Sequence, residues 1–108
     1  MISMDDFQKV DMKVGRIESA EDHPDADNLL VLQTDVGEDE PRTLVAGLVG
    51  HYEKDELEGK QVVVVTNLEP ARLRGVESQG MVLAAQEGDD NVVLLTVDEE
   101  MSPGSPVL

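Results

Sequence analysis

The chain has 108 residues, and its 24 acidic side chains against four lysines and four arginines give a formal net charge of −16. It has no cysteine, which excludes a disulfide framework, a zinc–thiolate site and a cysteine nucleophile. The N-terminus lacks the basic start and apolar stretch of a signal peptide, and no stretch is apolar enough to span a membrane. We therefore expect a single cytoplasmic domain, since the length is typical of one.

The predicted elements are short and are separated by clusters of Gly, Pro and Asp. We divide the chain into an N-terminal segment, 1–6, and a domain, 7–108. A helical turn capped by Ser3 is predicted at 3–8 and a second turn at 52–57. The predicted strands are 10–19, 29–36, 43–48, 61–66, 81–86 and 92–97. The valine run in the fourth strand indicates burial on both sides, and Gly15 interrupts the alternation of the first strand, which predicts a β-bulge.

This pattern predicts an all-β fold: an OB-fold, which is a five-stranded Greek-key barrel, with short helical turns. Ligands of such barrels meet the loops after strands one and four. Those loops are 21–28 and 67–80, and the second, at 14 residues, exceeds the ~12 above which an unstructured loop is usually functional or disordered. Because Leu68, Leu73 and Val76 are residues of buried type, we expect this loop to pack back on the barrel.

Charge is distributed unevenly along the chain. Residues 21–60 contain twelve acids and three bases, and residues 81–108 contain six acids and no base. The stretch 61–80 sums to zero, because two arginines balance two glutamates. Arg72 and Arg74 therefore lie in the one long region where an anionic phosphate meets no net repulsion from its immediate neighbours.

The overall acidity has two interpretations. A strongly charged surface keeps a protein soluble, and high acidity with few lysines is also typical of proteins that work in concentrated salt. We expect a halophilic origin. The self-repulsion then weakens as the Debye length falls to ~3 Å at 1 M salt.

Long ordered stretches of the chain resemble the tRNA-binding domain family. They are FQKVDMKVGRI at 7–17, HPDADNLLVLQTDVG at 23–37, TLVAGL at 43–48, GKQVVVVTNLEPARLRGVESQGMVLAA at 59–85 and PGSPV at 103–107. This family is found as the C-terminal appendix or β subunit of methionyl-tRNA synthetases and as free-standing homodimers. Because the sequence begins with its own Met and ends directly after the domain, we expect the free-standing form.

The resemblance implies an OB barrel that contacts tRNA through the loop after strand four and the neighbouring strand surface. The positions that match the family's contacts are Asn67, Arg72, Arg74, Ser78 and Met81, and Asn28 and Arg16 are added as further candidate RNA-binding residues. Relatives commonly carry lysine where this chain has Asn28 and Glu69. Both differences remove positive charge from the predicted site.

The two arginines suit RNA on chemical grounds. A planar guanidinium can fork two phosphate oxygens or stack on an unpaired base. Arg72 and Arg74 are two positions apart, so in an extended loop both would point the same way. The alternative is that they are surface charges paired with Glu69 and Glu77.

Gly75 and Gly80 would let RNA approach the backbone closely. The remaining candidates have two interpretations each. Met81 offers a polarisable face to a base, or it is a core residue at the start of a strand. Ser78 and Asn67 contact RNA, or they satisfy the backbone of the loop.

The scarcity of aromatic residues and the absence of a recognisable metal or catalytic motif limit the functions to be considered. Generic single-strand binding relies on several stacking aromatics, and Phe7 and Tyr52 are the only aromatic residues of this type. His23 and His51 match no metal-ligand spacing, and no catalytic constellation is visible, so we expect no metal, no cofactor and no catalysis. We expect a tRNA-binding protein that recognises structure rather than sequence and acts in trans with methionyl-tRNA synthetase. The alternative is an export-related chaperone that binds unfolded preproteins through an apolar groove.

The resemblance also implies a homodimer, formed through the N-terminal segment and the C-terminal strands. Ile2, Phe7, Val107 and Leu108 are the apolar residues expected at that seam.

Overall fold

A computed structural model describes residues 1–108 and consists mostly of short strands. The elements in chain order are α1 (Met4–Phe7), β1 (Met12–Asp22), β2 (Leu30–Asp35), β3 (Arg42–Ala46), α2 (Lys54–Leu57), β4 (Gln61–Val65), β5 (Ala71–Leu73), β6 (Val76–Ser78), β7 (Met81–Val82), β8 (Ala84–Glu87) and β9 (Asn91–Leu94). Each helix has four residues, and neither is long and apolar enough to cross a membrane. The predicted all-β class is confirmed.

The central sheet is a nearly closed barrel of five antiparallel strands. Its order is β3-β2-β1-β4-β7, and the edge strands β3 and β7 lie against each other. Two further hairpins, β5–β6 and β8–β9, pair only within themselves. This architecture is consistent with the predicted OB-fold. The β5–β6 hairpin follows β4, at the position where the sequence predicts the ligand-binding loop.

The barrel interior is filled almost entirely by valine, leucine and isoleucine. All five residues of β4 are buried, as the valine run predicts, and Leu57 of α2 is fully buried in the same core. The core cluster comprises Ile17, Ala20, Leu30, Leu32, Val36, Leu44, Leu48, Leu57, Val62, Val64 and Leu94. Thr34 also lies fully inside, and its hydroxyl makes no hydrogen bond.

The helical turns agree with the predictions. The Ser3 hydroxyl accepts a hydrogen bond from the Asp6 amide at 3.1 Å, which caps α1. This helix lies across the predicted boundary between the segment 1–6 and the domain 7–108. The second helix falls within the predicted turn at 52–57.

The predicted bulge at Gly15 is wrong. Gly15 lies in register with Val62, and the register shift of β1 falls between Ile17 and Ser19. The glycine is required for space, because a Cβ there would lie 2.8 Å from the Thr34 methyl group. The alternation is therefore interrupted by close strand packing rather than by an extra residue.

The predicted strand 81–86 is in fact two strands. Leu83 stands between β7 and β8, where its amide donates to the Val63 carbonyl and its carbonyl accepts from the Leu95 amide. The chain therefore leaves the barrel sheet at Leu83 and continues into the β8–β9 hairpin. The predicted strand 92–97 is also shorter than expected. It corresponds to β9, which ends at Leu94 and pairs only with β8.

Candidate functional site

The predicted loop 67–80 contains a β-hairpin. Strands β5 and β6 pair in the register Ala71↔Ser78, Arg72↔Glu77 and Leu73↔Val76. They are joined by a two-residue turn in which Arg74 has φ 52° and Gly75 has φ 94°. Positive φ at both central positions is the pattern of a type I′ turn, whose twist matches that of the flanking strands. Three-residue strands are too short to give a readable alternation, so the sequence indicated only a loop.

The hairpin is attached to the barrel by polar contacts. The buried Ser78 hydroxyl accepts from the Val45 amide and donates to the Gly80 carbonyl, both at 3.0 Å. The segment does pack back on the barrel, as expected, and Val76 is half-buried. The two leucines do not anchor it, because Leu68 is 47% exposed and Leu73 is 38% exposed. The contacts of Ser78 favour its interpretation as a residue that satisfies the backbone.

Arg72 and Arg74 are exposed and make no hydrogen bond or ion pair. The four ion pairs of the chain use Lys9, Arg16, Arg42 and Lys54, so neither hairpin arginine forms an ion pair with Glu69 or Glu77. Glu77 nevertheless lies directly opposite Arg72 in the hairpin register. The premise of an extended loop with both arginines on one side does not hold. Arg72 lies on a strand, on the face opposite Ser78, whereas Arg74 lies at the left-handed tip.

A buried histidine links the two predicted loops. His23 Nε2 lies 2.9 Å from the Leu73 carbonyl oxygen, and Nδ1 accepts from the Asp25 amide at 2.9 Å. Since one ring nitrogen accepts, the other carries the proton and donates to Leu73. The first loop is therefore docked against the hairpin, with the exposed Asn28 in the same loop. The sequence suggested for His23 only the alternative of a metal ligand, because its bond to Leu73 spans 50 residues.

The two ends of the hairpin segment meet at Arg42. Its Nη1 donates to the Thr66 carbonyl at 2.6 Å and to the Gln79 carbonyl at 3.0 Å. Glu38 accepts two further bonds from the same guanidinium, each 2.8 Å long. The hydrogen bond from Arg42 lowers the pKa of Glu38 below its ordinary value, and the same bond raises the pKa of Arg42. This role of Arg42 has no local signal in the sequence, because its contacts span 24 and 37 residues.

Asn67 holds the start of the segment to the N-terminal part of the chain. Its side chain accepts from the Asp11 amide at 2.8 Å and donates to the Lys9 carbonyl at 2.6 Å. The residue is exposed, but both ends of its amide are engaged. These bonds favour a backbone-satisfying role for Asn67.

Gly80 is required for packing rather than for the approach of RNA. A Cβ there would lie 2.8 Å from the Val65 carbonyl oxygen. Met81, by contrast, is 48% exposed, which argues against the core interpretation. It lines an apolar cavity of about 250 Å³ together with Val45, Ala46, Gly47, Leu48, Val82, Ala84, Val92 and Leu94.

The structure does not bring Arg16 to the hairpin. Arg16 is in register with Gln61, at the opposite end of β4 from Asn67. Its partner Gln61 is four residue steps from Val65 along β4, or about 13 Å at ~3.3 Å per residue. The Arg16 guanidinium donates to the Gly59 carbonyl at 3.0 Å and forms an ion pair with Glu100.

Comparison with known proteins gives similarity over nearly the whole chain. A family model described as "Putative tRNA binding domain" matches residues 12–106. The chain is 51% identical over 106 residues to a methionine–tRNA ligase of Pyrococcus horikoshii, covering 98% of this chain but 14% of that protein. The chain thus spans about a seventh of the length of this relative.

Two solved structures match the fold over the full length of the chain. One is the MetRS-related protein from Pyrococcus horikoshii, with 40% identity, a TM-score of 0.91 and coverage of 100% of this chain and 98% of that one. The other is the chaperone CsaA from Bacillus anthracis, with 30% identity, a TM-score of 0.90 and coverage of 100% and 99%.

Proposed function

Since the chain belongs to the tRNA-binding domain family, we propose that it binds tRNA and that the β5–β6 hairpin is its main contact surface. One observation carries this proposal. In a chain of net charge −16, Arg72 and Arg74 remain exposed and without an ion pair on a hairpin that lies outside the barrel sheet. Unpaired guanidiniums keep all their donors available for phosphate oxygens or for stacking on a base.

The surface around the hairpin supports recognition of folded RNA. Neither aromatic residue lies on the hairpin, and the Tyr52 hydroxyl is engaged with the Leu94 amide, so a stacking platform for single strands is lacking. We propose that Arg72 and Arg74 contact the tRNA backbone, with Asn28 and Met81 at the edge of the contact area. Ser78 and Asn67 position the hairpin, and Arg16 lies outside the surface. Binding of this kind depends on structure rather than sequence.

The names of the relatives suggest a protein partner, a methionyl-tRNA synthetase, in addition to the tRNA ligand. We propose that the chain acts in trans with a methionyl-tRNA synthetase in the cytoplasm. Any aminoacylation chemistry would then belong to the other polypeptide, and this chain would contribute tRNA binding alone. The chain's own contribution is to raise the local concentration of tRNA near the enzyme.

The proposal is tested by tRNA binding in a filter-retention assay with wild type and the variant Arg72→Ala/Arg74→Ala. Hydrogen bonds to charged groups contribute ~1.5–3 kcal/mol each, so the double variant should lose at least about 100-fold in affinity. The matched control is Lys9→Ala/Lys60→Ala, which removes the same charge elsewhere. If both double variants lose affinity equally, the effect is one of net charge and the hairpin is not the contact surface.

A homodimer is the second part of the proposal. An apolar cavity of about 270 Å³ is lined by Met4, Phe7, Gln8, Val10, Met12, Val107 and Leu108, where the two ends of the chain meet. Exposed apolar surface of this kind is typical of an interface. Light scattering should give twice the chain mass, and Phe7→Glu should give the monomer. A wild-type monomer at about 2 M KCl, where repulsion is screened, would refute the dimer.

The chaperone alternative keeps one specific observation in its favour. Met81 is exposed beside an apolar cavity, and CsaA has the same fold. If wild type fails to bind tRNA but slows the aggregation of an unfolded client, and Met81→Gln abolishes that effect, the chaperone function replaces the proposal above.

A further inference from the structure

The two ends of the hairpin segment, Thr66 and Gln79, form its neck and are bridged by one side chain. Arg42 donates from one nitrogen to the carbonyl oxygens of both residues, at 2.6 and 3.0 Å. Its neighbour Thr43 exchanges two more bonds with Gln79: the Thr43 amide donates to the Gln79 side chain, and the Gln79 amide donates to the Thr43 carbonyl, each at 2.8 Å. The start of β3 thus fixes the spacing between the two ends of the hairpin segment.

Glu38 in turn fixes the guanidinium of Arg42. Both carboxylate oxygens accept from Arg42, through Nε and Nη2, which leaves Nη1 to the neck. Such a bidentate pair restricts rotation more than a single bond does. The Arg42 side chain is 23% exposed and that of Glu38 is 42% exposed, so the pair lies at the surface, at the wall of a cavity of about 660 Å³ beside the hairpin.

We propose that Arg42 and Glu38 are positioning residues for RNA binding, which hold the hairpin in the orientation that presents Arg72 and Arg74. This inference rests on the proposed function of the hairpin. Neither residue needs to touch RNA, since four of the five N–H donors of Arg42 are already engaged with Glu38 and the neck.

The neck bonds add to the support that Ser78 and His23 give the hairpin, which forms few contacts within itself. Its strands have three residues each, and two-stranded hairpins are at best marginally stable alone. Leu68 and Leu73 are exposed rather than packed. Without the neck bonds, the arginines would sample more orientations, and binding would have to overcome the cost of ordering them.

The role of Glu38 can be distinguished from simple electrostatics by the sign of the effect. Removing an acid next to an RNA-binding surface should strengthen binding, because repulsion of phosphate falls. Loss of the bidentate pair between Glu38 and Arg42, which we call the clamp, should weaken binding. Glu40 lies two positions away on the wall of the same cavity and makes no hydrogen bond or ion pair, so Glu40→Gln makes the same chemical change without touching Arg42.

The experiment measures tRNA affinity for wild type, Glu38→Gln, Glu40→Gln, Arg42→Ala and Glu38→Gln/Arg42→Ala. We expect Glu38→Gln and Arg42→Ala each to weaken binding by about 2- to 10-fold, the cost of ordering one or two side chains. Glu40→Gln should leave binding unchanged or strengthen it. In the Arg42→Ala background, Glu38→Gln should strengthen binding, because only its charge then matters.

If Glu38→Gln strengthens binding as much as Glu40→Gln in the wild-type background, the inference is overturned. The order of the hairpin is measured separately, from ¹⁵N relaxation of residues 71–78 in the protein without RNA. Lower order parameters in Glu38→Gln but not in Glu40→Gln support the clamp, and unchanged values in both overturn it. If the wild type binds no tRNA, the proposed function is refuted. The relaxation data still test separately whether the clamp orders the hairpin.

Discussion

The tip of the hairpin should be a place where stability and RNA binding oppose each other. Arg74 is the only residue other than glycine with a positive φ, 52°. The left-handed conformation costs an L-residue with a Cβ roughly 1–2 kcal/mol, and asparagine tolerates it better. The substitution Arg74→Asn would place Asn-Gly at the two central positions, the preferred pair for a type I′ turn.

We therefore expect Arg74→Asn to stabilise the protein. Relief of about 1 kcal/mol corresponds to an increase of about 4 °C in the melting temperature of a domain of this size. Binding should change in the opposite direction. Loss of a charged donor should weaken tRNA affinity by about 10-fold and reduce the slope of log affinity against log salt by about 0.7–0.9.

Thermal melts and filter binding over a range of KCl concentrations measure both effects on the same samples. Arg72→Asn is the matched control, because it removes the same charge from a strand position with ordinary φ. It should weaken binding without raising the melting temperature. A melting temperature that does not rise in Arg74→Asn would refute the strain argument, and an unchanged affinity would remove Arg74 from the contact surface.

Four further predictions follow from individual groups. Thr34→Val should raise the free energy of unfolding by about 1 kcal/mol, because it removes a buried hydroxyl without a partner; an unchanged denaturation midpoint would contradict this. His23→Ala should cost about 1–3 kcal/mol and increase amide exchange in the hairpin, since the Leu73 carbonyl loses its donor; protection equal to wild type would show that the link is not needed. The melting temperature should be higher in about 2 M than in 0.1 M KCl, because screening reduces self-repulsion, and equal values would argue against halophilic adaptation. Since its pKa is lowered from 4.5, Glu38 should contribute its stability at and above neutral pH and lose it only as the pH falls below about 4.5; hairpin order parameters that fall well above that pH would contradict the assignment.

The barrel could be predicted from the sequence because its signals are local. Valine-rich strands with regular turn punctuation gave the five-stranded sheet, and the unbroken run in β4 gave its burial on both sides. The bulge was misplaced because a glycine in a strand indicates either an extra residue or a close approach of another strand. At Gly15 the close approach of Thr34 explains the glycine, and this contact cannot be predicted from the residues that neighbour Gly15 in the sequence.

The site was predictable in part, for the same reason. The position of the arginine segment after β4 followed from strand order, and the neutral charge of that segment followed from composition. The contacts that support the hairpin could not be predicted, because they join residues far apart in the sequence. Ser78 bonds to Val45 and His23 bonds to Leu73, contacts that span 33 and 50 residues. A polar residue that fixes a loop and one that contacts a ligand look alike until such partners are known.

The central claim is that tRNA contacts the β5–β6 hairpin, and mapping the contact surface tests it most directly. In a titration of ¹⁵N-labelled protein with tRNA, the largest changes in amide signals should fall on residues 71–78, with smaller changes at Asn28 and Met81. The region around Arg16, at the far end of β4, should be unaffected. Changes concentrated around Arg16 or along the seam of Phe7 and Val107, with the hairpin signals unmoved, would contradict the account.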